Sequence, residues 1–274
     1  MDLPLTLLAR YGLRPKKSWG QCFLQDPGVV RRIVAVVAPG PDDVVVEIGA
    51  GLGTLTAELA RSAGHLHAIE RDRDLVRVLR AELEHQGSIT IEEQNALTFD
   101  YCALGSTVKV VGNLPYQISS PLLFRLREQR HCIDEAVVML QREVAERVAA
   151  GPGSRDYGVP SVLFQQVADV ERCFVVPRQV FVPSPRVDSA VLRIRFLPTL
   201  RCPCDEARFD RLVRAAFHSR RKTLKNSLTG AWQRDAVVNA FEQTQIDSGR
   251  RAETLTVAEF AALTEALPDE ASPA

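Results

Sequence analysis

Val44-Val45-Val46-Glu47-Ile48-Gly49-Ala50-Gly51-Leu52-Gly53 is an apolar strand that runs into a glycine-rich turn, and a helical pattern follows from Thr54. Glycines in such a turn permit positive φ and let the backbone approach a ligand with no Cβ in the way. Outward from it, short apolar runs at 66–69, 89–92, 108–111 and 135–140 alternate with helical stretches opening at Asp72, Ser120-Pro121 and Arg142. Strands this apolar, separated by helices, predict a parallel, doubly wound sheet covered on both faces. Residues 170–176 and 189–196 read as its antiparallel edge. Before the sheet, Asp26-Pro27 has the form of an N-cap with proline at the first helical position, opening a helix to about Ala38. The helix from Arg142 is expected to end at Gly151 in a left-handed cap.

Past Pro198 the texture changes, and 205–217, 220–228, 235–241 and 257–267 read as helices with no strand between them. The expected organisation is a basic amino-terminal arm over 1–25, an α/β domain over 26–198, a helical domain over 199–268 and a disordered tail over 269–274. With 46% hydrophobic and 25% charged residues, a chain of 274 supports one medium core and a smaller one. The 34 Lys and Arg balance 34 Asp and Glu, so any sign of a nucleic-acid partner must come from local charge. The six cysteines show neither a C-x-x-C pair nor zinc spacing, which predicts reduced thiols, no metal and a cytoplasmic protein. The apolar run at 3–9 follows Asp2, lacks a basic flank and is far shorter than the ~18 residues of a membrane helix, so no membrane association is expected.

The turn at Gly49, Gly51 and Gly53 departs from the G-x-G-x-x-G spacing of a pyrophosphate cradle. With Glu47 before it, the pattern E-x-G-x-G-x-G is associated with S-adenosylmethionine, whose amino-acid end carries an ammonium. Glu70, at the end of the next strand, is placed to accept hydrogen bonds from both ribose hydroxyls. Asn95 follows the third strand and is either an adenine contact or an Asx-turn residue. Gly112-Asn113-Leu114-Pro115-Tyr116 ends the fourth strand with an amide, a free carbonyl and a ring. Those groups suit an aromatic amine: the Asn113 oxygen and the Leu114 carbonyl accept its hydrogens, Pro115 stiffens the turn, and Tyr116 offers a stacking face. Phe181, before the Pro183-Ser184-Pro185 loop, is either a second stacking face or a core residue. Arg10, Arg14, Lys16 and Lys17 form an acid-free arm, and Arg220, Arg221, Lys222 and Lys225 a second basic run. Each reads as a solvated face or a phosphate-tracking surface.

Taken together, these motifs resemble the ribosomal RNA adenine dimethyltransferase family, KsgA type, from Lys16 to about Leu263. The resemblance is carried by Gly20-Gln21-Cys22-Phe23-Leu24, Glu47 to Gly53, Asn113 to Tyr116, Met139-Leu140-Gln141-Arg142-Glu143-Val144, Phe181 to Ser189 and Arg220-Arg221-Lys222-Thr223. It implies a Rossmann-like S-adenosylmethionine-dependent methyltransferase sheet with a small C-terminal helical domain. The implied activity moves methyl groups from S-adenosylmethionine, which leaves as S-adenosylhomocysteine, to two adjacent adenosines in a hairpin loop near the 3′ end of small-subunit rRNA. The implied partner is an assembling 30S particle, met as a monomer. Cys22, Leu24, Gly49, Gly51, Gly53, Glu70, Asn95 and Asn113 fall on cofactor contacts, and Asn113 to Tyr116 with Phe181 on the target-base pocket. Lys16, Lys17, Arg220, Arg221, Lys222 and Lys225 are the expected RNA contacts. Cys22 stands where the family usually has asparagine, and Asn95 where it has aspartate, which implies a weaker hold on the cofactor. A resistance-type large-subunit methyltransferase and a non-catalytic assembly factor are the competing readings.

Overall fold

The computed structural model describes residues 2–105, 107–219 and 221–269. In chain order the elements are α1 (Pro4–Arg10), β1 (Phe23–Leu24), α2 (Pro27–Val37), β2 (Val44–Ile48), α3 (Thr54–Leu59), β3 (His65–Glu70), α4 (Arg73–Leu83), β4 (Ile89–Glu93), β5 (Val108–Asn113), α5 (Ser119–Glu128), β6 (Ile133–Gln141), α6 (Arg142–Ala149), α7 (Val159–Gln165), β7 (Ala168–Val176), β8 (Phe181–Val182), β9 (Ser189–Phe196), α8 (Glu206–Ala216), α9 (Leu224–Leu228), α10 (Arg234–Thr244) and α11 (Val257–Ala266). They form two compact units, Met1–Ala145 with Glu171–Phe196, and Glu146–Val170 with Leu197–Ala274.

The first unit is built on a sheet of order β4-β3-β2-β5-β6-β9-β7. Strands β2 to β6 run parallel, and β9 is antiparallel to β6. Register matters for function, because Ile48 pairs with Gly112 and Asn113 with Met139, which brings the ends of β2, β5 and β6 level. The apolar runs give strands because Val45, Leu66, Ala68 and Val111 are buried under Val30, Ile33 and Val37 of α2 and Leu55 and Leu59 of α3. Full burial of such side chains is worth about 1.5–3 kcal/mol each before entropy is counted. Asp26 accepts a hydrogen bond from the Val29 N–H and starts α2, and Ala38 ends it in the left-handed region. Leu7 and Leu8 of α1 pack with Phe23, Leu52, Leu75 and Val78. The short β1 pairs antiparallel with β8, setting Leu24 opposite Phe181.

The second unit buries Phe209, Leu212, Val213, Leu224, Val237, Phe241, Phe260 and Leu263. Asp205 caps α8, and Thr256 with Glu259 forms a capping box on α11.

Several expectations change. The unit boundary is not a single cut near Pro198, since residues 146–170 belong with the helical unit. Within them is α7, opened by Pro160 in its first turn and by Ser161 Oγ accepting the Gly158 N–H at 3.0 Å. The left-handed glycine after α6 is Gly153, at φ 82°, and not Gly151. Its N–H donates to the Glu253 carbonyl at 2.7 Å, a bond that fixes the turn there. Finally, Cys102 and Cys132 are disulfide-bonded, leaving Cys22, Cys173, Cys202 and Cys204 as free thiols. The helical pattern opening at Arg220 begins at Leu224; Arg220 itself and residues 270–274 lie outside the described residues.

Candidate active site

The carboxyl ends of β2, β3, β4 and β5 surround a cavity of about 330 Å³, floored by the glycine turn and walled by residues 18–24 of the arm, by Glu70 and Arg71, by residues 94–96 and by residues 113–118. Gly49, Gly51 and Gly53 all have positive φ, at 70°, 61° and 82°. At Gly51 a side chain is doubly disfavoured, since a Cβ there would also lie 3.4 Å from the Phe23 ring. Glu70 ties the turn in place: one carboxylate oxygen accepts the Gly51 N–H at 2.9 Å and the other the Asp72 N–H at 2.8 Å. Burial pushes the Glu70 carboxyl up, and the N–H groups of Asp72, Gly51 and Arg71 pull against that shift. Each oxygen keeps acceptor capacity toward the cavity.

Glu47 lines the cavity at 2% exposure, and its Oε2 has no hydrogen-bond partner among the described residues. Burial, with the nearby charge of Glu70, pushes the Glu47 carboxyl up to about 8, against the opposing pull of the buried Thr56 hydroxyl. A buried acceptor without a donor is costly unless something else satisfies it. An ammonium entering the cavity would do so and would restore the charge. The residues present therefore fit S-adenosylmethionine, with Glu47 toward its amino-acid end and Glu70 toward its ribose.

Asn113 is oriented from an unexpected quarter. Its Nδ2 donates to the Cys22 backbone carbonyl at 3.1 Å, so the arm sets which way the amide faces. The unusual residue at position 22 thus contributes a bond that any side chain there would leave intact. Leu114 N–H donates to the Met139 carbonyl at 3.0 Å, which anchors the turn to β6. Asn113 Oδ1 and the Leu114 carbonyl accept no hydrogen bond among the described residues. Tyr116 is half-buried with its hydroxyl 2.8 Å from Ser189 Oγ, and burial pushes its phenol up.

Other expected residues are placed differently. Phe181 is 2% exposed, belongs to the hydrophobic core with Leu24 and Val176, and does not line the cavity. Pairing of β8 with β1 turns it inward, so the core reading holds for this conformation. Asn95 borders the cavity and its Oδ1 accepts the Leu97 N–H at 3.2 Å in an Asx-turn, which leaves its amide N–H groups for a ligand. Lys16 is not a free cation: its ammonium sits 2.6 Å from Asp72 and 2.8 Å from Asp74, and Gln21 also donates to Asp72. Those bonds clamp the arm against the start of α4. The Lys17 side chain lies outside the described residues.

In the second unit Arg221 and Lys222 are exposed and Lys225 half-buried, and none makes an ion pair among the described residues. Sequence reasoning left Arg71 and Trp19 out of the site and named Glu47 only as part of the glycine-turn motif. Glu47 was visible in its motif, whereas Trp19, 40% exposed beneath the Arg71 guanidinium at 5.3 Å, had no sequence signal.

Residues 12–269 match the model of a family described as ribosomal RNA adenine dimethylase. A protein of Anaeromyxobacter sp. (strain K) named ribosomal RNA small subunit methyltransferase A is 49% identical, covering 95% of this chain and 96% of its own. One of the same name from Myxococcus xanthus is 45% identical over 97% and 96%. Among solved structures, the 23S rRNA methyltransferase ErmE superposes with a TM-score of 0.73 at 26% identity, over 89% of this chain and 99% of that one. A dimethyladenosine transferase from Plasmodium falciparum gives 0.74 at 25% identity, over 88% and 95%.

Proposed function

This chain belongs to the ribosomal RNA adenine dimethylase family, and from that premise we propose that its cavity holds a target adenosine of small-subunit rRNA by the 6-amino group while methyl groups are delivered to it. The chain is an rRNA adenine N6,N6-dimethyltransferase on a methyltransferase fold. The small-subunit substrate rests on relatives of that name at 45–49% identity, against 26% for the large-subunit enzyme. Two adjacent adenosines near the 3′ end, presented by an assembling particle, are the finer proposal, as is action in the cytoplasm. No helix among the described residues is long and apolar enough to cross a membrane.

One observation supports the chemistry above the others: Asn113 and Leu114 line the cavity on a turn held by Cys22 and Met139, and the Asn113 Oδ1 and Leu114 carbonyl accept no hydrogen bond among the described residues. The adenine amine is a poor nucleophile because its lone pair is delocalised into the ring. Two fixed acceptors on its hydrogens favour a tetrahedral nitrogen with the lone pair free for the methyl. Nitrogen gains positive charge as the methyl arrives, so these dipoles favour the transition state more than the ground state. S-adenosylmethionine supplies a methyl on a sulfonium, and Glu47, Glu70 and the glycine turn would hold it. Tyr116, pinned by Ser189, offers the base a face. No general base is required, because the proton can leave to water after transfer. Phe181 would supply an opposing face only if β8 parts from β1.

Arg221, Lys222 and, beyond the described residues, Arg220 are proposed as phosphate contacts. Neutralising Arg221 and Lys222 together should reduce the salt slope of RNA binding by roughly 1.4–1.8. An unchanged slope returns them to a solvated face. The activity itself is tested by incubating the protein with S-adenosylmethionine and unmethylated small or large subunits, then mapping modified nucleotides by mass spectrometry. Paired dimethyladenosines in small-subunit rRNA are expected. Modification confined to large-subunit rRNA would favour the resistance-type reading, and none on either subunit would refute the enzyme.

A further inference from the structure

At the amino ends of β5 and β6, at the end of the strands opposite the cavity, two sulfurs and an imidazole gather. Cys102 lies in the 3-10 turn Tyr101–Leu104 that precedes β5, and His131 and Cys132 immediately precede β6. The two cysteines are bonded with Cα atoms 5.2 Å apart, a separation ordinary disulfides take. His131 Nε2 is 3.3 Å from Cys102 Sγ, and the two sulfurs and an imidazole nitrogen lie within 4.8 Å of one another. Access to the sulfurs is unequal. Cys132 is 3% exposed, with its sulfur 3.0 Å from the Gln129 carbonyl, whereas Cys102 is half-buried and His131 exposed. Thiol–disulfide exchange needs a thiolate that a reagent can reach. Cys102, beside an imidazole able to take its proton, meets both conditions, and Cys132 does not.

We propose that Cys102–Cys132 is an exchangeable redox staple, with Cys102 as the entry thiol and His131 as the group that deprotonates it. In the closing direction the Cys102 thiolate attacks a low-molecular-weight disulfide such as oxidised glutathione. A mixed disulfide forms on Cys102, and one small thiolate leaves, taking the proton that His131 had accepted. The Cys132 sulfur then attacks the Cys102 sulfur, the protein disulfide forms, and a second small thiol leaves with the Cys132 proton. Two protein thiols are oxidised and one small disulfide is reduced to two thiols, and the reverse sequence opens the staple. The bond encloses the segment between two cysteines 30 positions apart, which contains the whole of β5 and the turn from Asn113 to Tyr116. It nevertheless sits at the far end of β5, six residues and roughly 20 Å from that turn. Closing it secures the segment against unfolding and leaves the chemistry at the cavity alone.

The test equilibrates the reduced full-length protein in mixtures of reduced and oxidised glutathione, traps free thiols with iodoacetamide and maps them by mass spectrometry. Cys102 and Cys132 should lose alkylation together and regain it on reduction, while Cys22, Cys173, Cys202 and Cys204 stay alkylated. In Cys132→Ser a glutathione adduct should accumulate on Cys102; in Cys102→Ser none should accumulate on Cys132. In the Cys132→Ser background, His131→Ala should slow adduct formation several-fold at neutral pH but not at a pH where the thiol ionises unaided, a profile that a structural role for His131 would not produce. The oxidised form should unfold about 5–10 °C higher than the reduced form and methylate at the same rate. Separate oxidation of the two cysteines, an adduct formed first on Cys132, or a pH profile unmoved by His131→Ala would overturn the proposal. So would a stoichiometric zinc ion held by the reduced cluster and blocking its oxidation, which would make it a metal site.

Discussion

The two ends of the parallel strands are built from similar residues and treated oppositely. At the amino end polar groups pair with one another. Lys109 Nζ meets Asp43 at 2.7 Å, Asp43 also accepts the Gly40 N–H, the Cys132 carbonyl accepts the Val108 N–H, and Cys102 is bonded to Cys132. At the carboxyl end Glu47 Oε2, Asn113 Oδ1 and the Leu114 carbonyl are left without donors among the described residues, although Asn113 and Leu114 are anchored by bonds to Cys22 and Met139. Polar atoms that are fixed but unsatisfied cost stability, and they are what a ligand can reward. The difference marks one end as scaffold and the other as site.

Gly112 is where this contrast is most fragile. A Cβ there would come within 2.5 Å of the Ile48 carbonyl oxygen, with no flexible atom to give way. Gly112→Ala should therefore push β5 off β2, cost roughly 1–3 kcal/mol of stability, and displace Asn113 enough to abolish methylation. A thermal midpoint and activity equal to the parent would mean that the strand ends are not held as tightly as described.

Glu47→Gln should act less on the fold and more on binding. Burial keeps the Glu47 proton in the folded chain up to about pH 8, whereas the unfolded chain loses it near the ordinary carboxylate value of 4.5. The folded state holds the extra proton between those values, so this group's contribution to stability falls as pH rises through the interval. Glutamine removes that fall, and the thermal midpoint should become flatter between mildly acidic and mildly alkaline pH. Because an ammonium favours the ionised carboxylate, S-adenosylmethionine should bind the parent with release of a proton at neutral pH. The variant should bind on the order of tenfold more weakly and release none. Calorimetry in buffers of different ionisation enthalpy measures both quantities.

Lys109→Met, at the scaffold end, should be the mildest. Burial alone would raise the Asp43 carboxyl, but Lys109 and the Gly40 N–H outweigh it and hold it below its usual range. That stabilisation is present above the unfolded carboxylate range and lost as pH falls through the lowered value. The variant should lose up to about 1 kcal/mol at neutral pH with methylation unchanged, and a loss of activity would blur the division between the two ends.

Most of the first unit was legible because its signals are local and periodic: apolar runs, Asp26 as a cap, and the three glycines. Asn113 and Glu70 were legible for the same reason, as residues fixed by their place at strand ends. What stayed hidden depends on partners distant in sequence. Phe181 looked like a stacking face until β8 was paired with β1, and Lys16 looked free until Asp72 and Asp74 were brought to it. Nothing in the spacing of Cys102 and Cys132 foretold their bond, since two separate strands bring them together. The Cys22 substitution looked like a loss, yet the contact found there is made by a backbone carbonyl that the sequence cannot display.

The central claim is that Asn113 holds the target amine through an acceptor left open for it. Its most direct test is the single-turnover methylation rate of Asn113→Ala on unmethylated small subunits, at saturating S-adenosylmethionine, with cofactor affinity measured alongside. The expected result is a fall of about 10²–10³ in rate with cofactor affinity changed no more than a few-fold. A rate close to the parent's, with the cofactor bound normally, would contradict it.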